Sequence, residues 1–284
     1  QIQYNISRLF SVKQADRNSI VEQLISLLSN KFPKTIIRTD ISDFYESINQ
    51  EAILKKVNQD NLLTPNSRRF INNIINSYKN LSGNKKGIPR GIGISAYLAE
   101  LFMRDVDNKI KSLPGVSYYS RFVDDIIIVF TPLPADTTRD YLSEIKSCIE
   151  NETSLLINTS KTLRVDIDKS KLRCKFDYLG YEFDIQSGKV KTKFTNSKFK
   201  KIKNRLFIAF DDFYNLSKVD KKLAKKLLIK RIRYLTGNTR LVNNKSKILI
   251  GIFYSNRYLT EVGQLKSLDA KLKHLIRTKI STNS

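Results

Sequence analysis

The chain has no tryptophan, one histidine, one methionine and two cysteines, and its acidic residues are outnumbered almost two to one by basic ones. Each shortage excludes something. Cys148 and Cys174 stand far apart, and His274 sits alone in a helical pattern near the C-terminus, which rules out a zinc finger and a Ser-His or Cys-His relay of the usual kind. Without a disulfide framework, the composition fits a reducing cytosol. No run of about eighteen apolar residues occurs, and the opening QIQYNISRLF lacks both signal-peptide order and an initiating Met. The expectation is a soluble, cytoplasmic protein without membrane contact, whose native start lies upstream of Gln1. Any chemistry must come from carboxylates, lysines and metal ions.

What the chain has in excess is positive charge: 51 Lys and Arg against 27 Asp and Glu, a net of +24 and a pI near 9.9. That balance points to a polyanion, either nucleic acid or a membrane surface. Distribution separates the two. Fifteen basic residues and three acidic ones lie between Lys191 and Arg233, about half of the whole excess. A solvated helix face is the plain explanation of such a run. A helix pair with Leu206, Phe207, Phe210 and Phe213 on one stripe and lysines on the other would instead track a phosphate backbone, and the concentration of charge favours that reading.

At 284 residues and 40% apolar content the chain can bury a real core, as one large domain or two smaller ones. Apolar spacing predicts a helix over 17–30, a short strand at TIIRTDIS, helices over 50–59 and 67–79, and a loop at SGNKKGIPRGIG. Ser95 is expected to cap a helix that runs to Lys111. Strand arms over 115–122 and 126–131 flank Asp124, a helix follows over 137–151, and SLLIN and TLRVDI read as strands. A second hairpin turns at Ser187 and Gly188, and the remainder from Ser197 is helical and basic. This order fits an α+β fold with helices on one face of an antiparallel sheet. The apolar group Ile248, Leu249, Ile250, Ile252 and Phe253 is expected either to bury against the basic helices or to form an oligomer contact.

Within that basic background, YYSRFVDDIIIVF sets Asp124 beside Asp125 between two apolar arms. A hairpin turn is the plain explanation, because Asp tolerates turn geometry. The other is a bound cation, because burying an unpaired charge costs several kcal/mol or more. Asp40 ends the strand in RTDISDFYESI. If that strand pairs beside the hairpin, three carboxylates converge at one sheet edge, and such a cluster stays ionised only around cations. Two magnesium ions about 3.5–4 Å apart, with manganese as the alternative ion, would neutralise it and run phosphoryl transfer.

RTDISDFYESI, GIPRGIGIS, RFVDD, LLINTSKT and DYLGYEF occur in the order and approximate spacing of the palm motifs of reverse transcriptases. The chain most resembles the bacterial group that holds retron, group II intron and abortive-infection, phage-defence enzymes. The resemblance covers residues 8–195 and rests on five motifs in series. It implies a right-hand polymerase with partial fingers over 1–35, a palm with finger insertions over 36–190, and a helical thumb with a C-terminal extension over 191–284.

Phe122-Val123-Asp124-Asp125 is similar to the family's [FY]-x-D-D box. Asp40 and Asp124 would then be the principal magnesium ligands, Asp125 a weaker or outer-sphere partner, and Ile41 a metal and nucleotide contact. Tyr45 stands where the family places the aromatic that excludes a 2′-hydroxyl, which makes dNTPs the expected substrates. Lys161 matches the lysine that protonates the leaving pyrophosphate. Arg90, Gly91 and Ser95 would meet the incoming nucleotide. Leu179, Gly180 and Tyr181 resemble the hairpin that grips the primer, with Lys198, Lys201 and Arg205 of the thumb as further nucleic-acid contacts. Arg8, Lys13 and Arg17 fall in a weaker likeness to the end of the fingers. One departure stands out: Pro89-Arg90-Gly91 replaces the usual Pro-Gln-Gly, and Ser95-Ala96 replaces Ser-Pro. A guanidinium is always charged and favours phosphate, so ordinary template handling is in question at this site.

The resemblance thus implies an RNA-directed DNA polymerase serving bacterial anti-phage defence, with an RNA template or dedicated noncoding RNA, a DNA product, and a partner protein or second copy of itself. Two alternatives stand beside it: a template-independent or protein-primed DNA polymerase, and a catalytically idle nucleic-acid-binding module. Retention of all three aspartates and Lys161 argues against the idle module, because binding has no use for a cluster of like charges.

Overall fold

The computed structural model describes residues 1–59, 62–132, 139–168, 173–240, 249–252 and 254–280. In chain order they form α1 (Ile2–Leu9), α2 (Arg17–Leu28), β1 (Lys34–Asp40), α3 (Phe44–Ser47), α4 (Gln50–Gln59), α5 (Pro65–Ser82), α6 (Gly93–Lys111), β2 (Val116–Phe122), β3 (Asp125–Phe130) and α7 (Tyr141–Thr153). These are followed by β4 (Leu163–Ile167), β5 (Arg173–Tyr178), β6 (Tyr181–Gln186), β7 (Lys189–Phe194), α8 (Asn196–Ser217), α9 (Lys221–Thr236), β8 (Thr239–Arg240), β9 (Leu249–Ile250) and α10 (Gly263–Ile280). The chain divides into two compact units, residues 1–20 with 31–174 and residues 21–30 with 175–284.

The first unit is built on a four-stranded sheet of order β2-β3-β1-β4, with every pairing antiparallel. The run Ile126–Phe130 is fully buried. Alternate residues of a strand face opposite sides, so both faces of β3 are covered. One of them, with Ile37, Ile126, Ile128 and Phe130, joins a helical core that includes Ile6, Ile53, Ile71, Leu98 and Ile145.

Local chemistry sets the helix ends. Thr64 accepts a bond from the Ser67 N–H, Pro65 fills the first turn and Gly83 closes α5 at φ +69°, so this helix begins earlier and ends later than its apolar spacing indicates. The expected cap at Ser95 is a correction: α6 starts at Gly93 with extended Ile92 before it, and Ser95 lies inside the first turn, its N–H donating to the Ile92 carbonyl at 3.0 Å. SLLIN is likewise not a strand. Ser154 closes α7 in the left-handed region at φ 58°, and only a single bridge, Ile157 to Ile41, forms before the chain turns again at Thr159–Lys161. Helix α1 was not expected from sequence, since eight residues hold too few repeats to show a period.

The second unit holds a three-stranded sheet of order β5-β6-β7 and the helices α8, α9 and α10. β6 and β7 pair antiparallel with Gln186 opposite Lys189, around the expected turn at Ser187 and Gly188, both at positive φ. Thr195 caps α8 and Asp220 caps α9. Leu206, Phe210 and Phe213 of α8 bury against Ala224 and Leu228 of α9 and Leu268 and Leu275 of α10, which leaves Lys200, Lys201, Lys203, Lys222, Lys225 and Lys226 exposed. Of the apolar group at 248–253, Ile248 and Phe253 lie outside the described residues, Leu249 and Ile250 form β9, and Ile252 packs partly buried on the α8–α10 core. Among the described residues no helix is long and apolar enough to cross a membrane.

Candidate active site

The sheet register alone brings the carboxylates together. β1 and β3 run antiparallel with Asp40 opposite Asp125. Phe122 faces Asp125 across the β2–β3 hairpin, so Val123 and Asp124 form a two-residue turn beside the end of β1. The Ile41 N–H then donates to the Asp124 carbonyl at 3.1 Å and locks strand end to turn. As a result Asp40, Asp124 and Asp125 each offer a carboxylate oxygen within 4.8 Å of the others. Lys161 is delivered by the next element. The Asn158 N–H donates to the Asp40 carbonyl at 2.7 Å, the chain makes one 3-10 turn, and Lys161 Nζ reaches Asp40 Oδ2 at 2.7 Å.

Burial first, and neighbouring charge second, act on the two carboxyls of the turn. Burial pushes the Asp124 carboxyl above the ordinary range, and the nearby Asp40 carboxylate adds to it. Burial also pushes Asp125 up, while Arg38, 3.4 Å from its Oδ1, pulls it back. The hydrogen bond to Asp40 holds the Lys161 ammonium more firmly protonated. Three carboxylates that each offer an oxygen within 4.8 Å of the others form a hard donor set that fits a divalent cation preferring oxygen ligands.

Behind the turn lies a network that motif matching did not single out. Val123 is held at φ 62°, a left-handed conformation that a β-branched residue rarely adopts and that hairpins usually give to glycine. Arg121, buried below, donates to the Val123 carbonyl at 2.9 Å. Its other donors reach Glu100 Oε2 and Asp107 Oδ2, each at 2.7 Å, and Tyr119 OH donates to Asp107 at 2.6 Å. Glu100 and Asp107 are seven residues apart on α6, which puts them on one helix face; that spacing, beside a basic residue in an apolar strand, was the available signal.

Tyr45 lies on α3 beside this cluster. Its phenol is pushed up by burial, and then by the charges of Glu100 and Asp124. Arg90 pairs with Glu46 and places its guanidinium 5.7 Å from the centre of the Tyr45 ring. Gly91 follows at φ +81° on an open surface. Ser95 is buried, and its Oγ has no hydrogen-bond partner among the described residues. In the second unit, Leu179 and Gly180 form the two-residue turn between β5 and β6, both at positive φ, and Tyr181 is fully buried. Lys198 bonds to Asn256 and lies over the Tyr181 ring at 5.3 Å, whereas Lys201 and Arg205 stand exposed on α8.

The family model for reverse transcriptase (RNA-dependent DNA polymerase) matches residues 2–183. The chain belongs to the reverse transcriptase family. Among solved structures it is similar to apo telomerase from Candida tropicalis, at 14% identity and a TM-score of 0.52 over 99% of this chain and 57% of that one. Telomerase from Candida albicans, in complex with a TWJ fragment of telomeric RNA, matches at 14% identity and a TM-score of 0.48, over 99% of this chain and 54% of that one. The likeness, carried by the first of these, is one of fold, and the chain spans about half the length of the telomerase chains it matches. No match is found among curated proteins.

Proposed function

We propose that the protein is an RNA-directed DNA polymerase that adds dNTPs to a primer 3′-hydroxyl by phosphoryl transfer, a nucleotidyltransferase reaction. The observation that carries this reading is the convergence of Asp40, Asp124 and Asp125 with Lys161 at one sheet edge in a chain of the reverse transcriptase family. Two magnesium ions, when bound there, would activate the 3′-hydroxyl and steady the departing pyrophosphate. Asp40 and Asp124 would be the principal ligands, with Asp125 a weaker partner and Ile41 alongside. Lys161 gives a proton from Nζ to the leaving pyrophosphate oxygen. The Tyr45 ring occupies the space a 2′-hydroxyl would need, and Arg90, Gly91 and Ser95 bound the nucleotide's path.

In this reading the palm spans residues 36–190, with partial fingers before it and the thumb after it. Leu179 and Gly180 meet the primer strand, whereas Tyr181, expected beside them, is fully buried and serves to support that turn; Lys198, Lys201 and Arg205 follow the backbone, where neutralised phosphates contribute affinity that falls with salt. The bacterial, defence-associated branch is the one we favour, working with a noncoding RNA or partner protein, because the five motifs match that group best. Arg90 in place of the usual glutamine favours, as a second reading, untemplated or protein-primed synthesis.

The test is incorporation of each labelled dNTP with magnesium, with and without RNA template and primer. Products that require RNA support the first reading. Products formed without RNA that shift on protease treatment support the second, and absence of any product, with the full-length chain and its RNA present, contradicts both.

A further inference from the structure

Tyr45 lies on a weak element. α3 is four residues long, too short to hold itself as an isolated helix, and Asp43 before it takes φ 43°. What steadies it is the loop that carries Arg90. The Ile88 N–H donates to the Tyr45 carbonyl at 2.8 Å and the Gly87 N–H to the Ile48 carbonyl at 2.7 Å, while Gln50 Nε2 donates to the Gly87 carbonyl at 2.9 Å. Gly87 has φ +91°, and a Cβ there would come within 2.9 Å of the Glu46 carbonyl oxygen, so the loop lies flush on the α3 backbone.

The side chains complete the attachment. Arg90 meets Glu46 through two nitrogens, Nε to Oε1 and Nη2 to Oε2, each at 2.6 Å. This is the fork-to-fork arrangement in which a guanidinium and a carboxylate fix each other's plane. In that pose the guanidinium lies 5.7 Å from the Tyr45 ring centre, within cation–π range, and Phe44 packs edge-on against the same ring at 5.4 Å. A glutamine at position 90 has neither the charge nor the fork.

We propose that Glu46 and Arg90 form a clasp that fixes the Tyr45 ring and so sets how strictly the site rejects ribonucleotides. The inference rests on the polymerase reading above and makes Arg90 a positioning residue, acting through Tyr45. The pair is exposed, 63% at Arg90 and 46% at Glu46, so salt weakens it and discrimination falls as ionic strength rises.

The test is a mutant cycle of Glu46→Gln, Arg90→Gln and the double variant, read as the ratio of ribonucleotide to deoxyribonucleotide kcat/KM. Each single variant is expected to raise the ratio roughly three- to tenfold, the scale of one exposed ion pair plus a cation–π contact. The double variant should raise it no further, because both singles break the same unit. The wild-type ratio should climb with salt, and the variants' ratios should not. An unchanged ratio, equal loss of both nucleotides, or an effect confined to Arg90→Gln would overturn the clasp, the last because Arg90 would then be meeting substrate directly. A second readout needs no catalysis: nitration of Tyr45 by tetranitromethane, located by peptide mass spectrometry, should quicken alike in all three variants. A silent wild type would sink the polymerase reading and its nucleotide consequence; nitration alike in all four proteins would sink the clasp itself.

Discussion

Replacing Arg121 by Met removes the one cation from a buried set of three charges. The Arg121 side chain is 2% exposed, and those of Glu100 and Asp107 are each 14% exposed. Met keeps much of the apolar volume, so the loss is chiefly electrostatic: two carboxylates lose their partner and the Val123 carbonyl loses its donor. Removing one member of a buried ion pair costs about 3–5 kcal/mol, a large share of the roughly 5–15 kcal/mol that holds a domain folded. The pH dependence has a definite sign. Burial already pushes Glu100 above the usual carboxylate range while Arg121 pulls it down, and removing Arg121 lets it rise further. A carboxyl whose folded pKa exceeds its unfolded one contributes stability at low pH and loses it as pH rises through the folded value. The deficit of Arg121→Met should therefore be largest near pH 8 and shrink toward pH 5. Urea unfolding at both pH values measures it, with Glu100→Gln/Asp107→Asn added to Arg121→Met as the neutralised control, which should recover at least half the loss. A deficit below about 1 kcal/mol at pH 8, a deficit that ignores pH, or a control no better than Arg121→Met would refute the reasoning.

Lys161→Met should lower kcat for nucleotide addition by about a hundredfold with little change in dNTP KM, as expected when a proton donor in the transition state is lost; single-turnover incorporation measures it, and an effect on KM alone would contradict the role. Val123→Gly should relieve the left-handed strain and raise stability by about 1 kcal/mol while lowering activity, because the turn that presents Asp124 becomes looser; urea melts and extension rates report the two effects. Lys201→Ala and Arg205→Ala should each weaken binding to RNA and DNA alike and reduce the slope of log affinity against log salt by about one, measured by fluorescence anisotropy across a salt series.

The parts of the site that are legible in sequence are those fixed by short-range order. Asp124 and Asp125 stand in a hairpin whose second arm is a β-branched run, and Asp40 closes a strand that carries Thr35, Ile36, Ile37 and Thr39, so the convergence followed once the strands were taken as neighbours. Basic helices with an apolar stripe were readable for the same reason, since Leu206, Phe210 and Phe213 repeat at helical spacing over two turns. What was hidden depends on contacts far apart in the chain. Arg121 reads as any basic residue near a turn until α6 folds Glu100 and Asp107 beneath it. The Glu46 and Arg90 contact is 44 residues apart in sequence, and nothing local to either one announces the other. Ser95 looked like a cap because capping residues are judged by type, whereas the extended Ile92 holds the cap position of α6 three residues earlier. SLLIN looked like a strand because β-propensity measures fit to a half-buried surface rather than an available partner, and here the chain turns away after a single bridge.

The most direct test of the account is manganese titration of the full chain by electron paramagnetic resonance, with a nonhydrolysable dNTP present, for the wild type and for Asp124→Ala/Asp125→Ala. The account predicts tight binding of two ions in the wild type and its loss in the variant, with the fold intact by circular dichroism. Equal binding in both proteins would contradict the claim that Asp40, Asp124 and Asp125 form a metal-dependent nucleotidyl-transfer site.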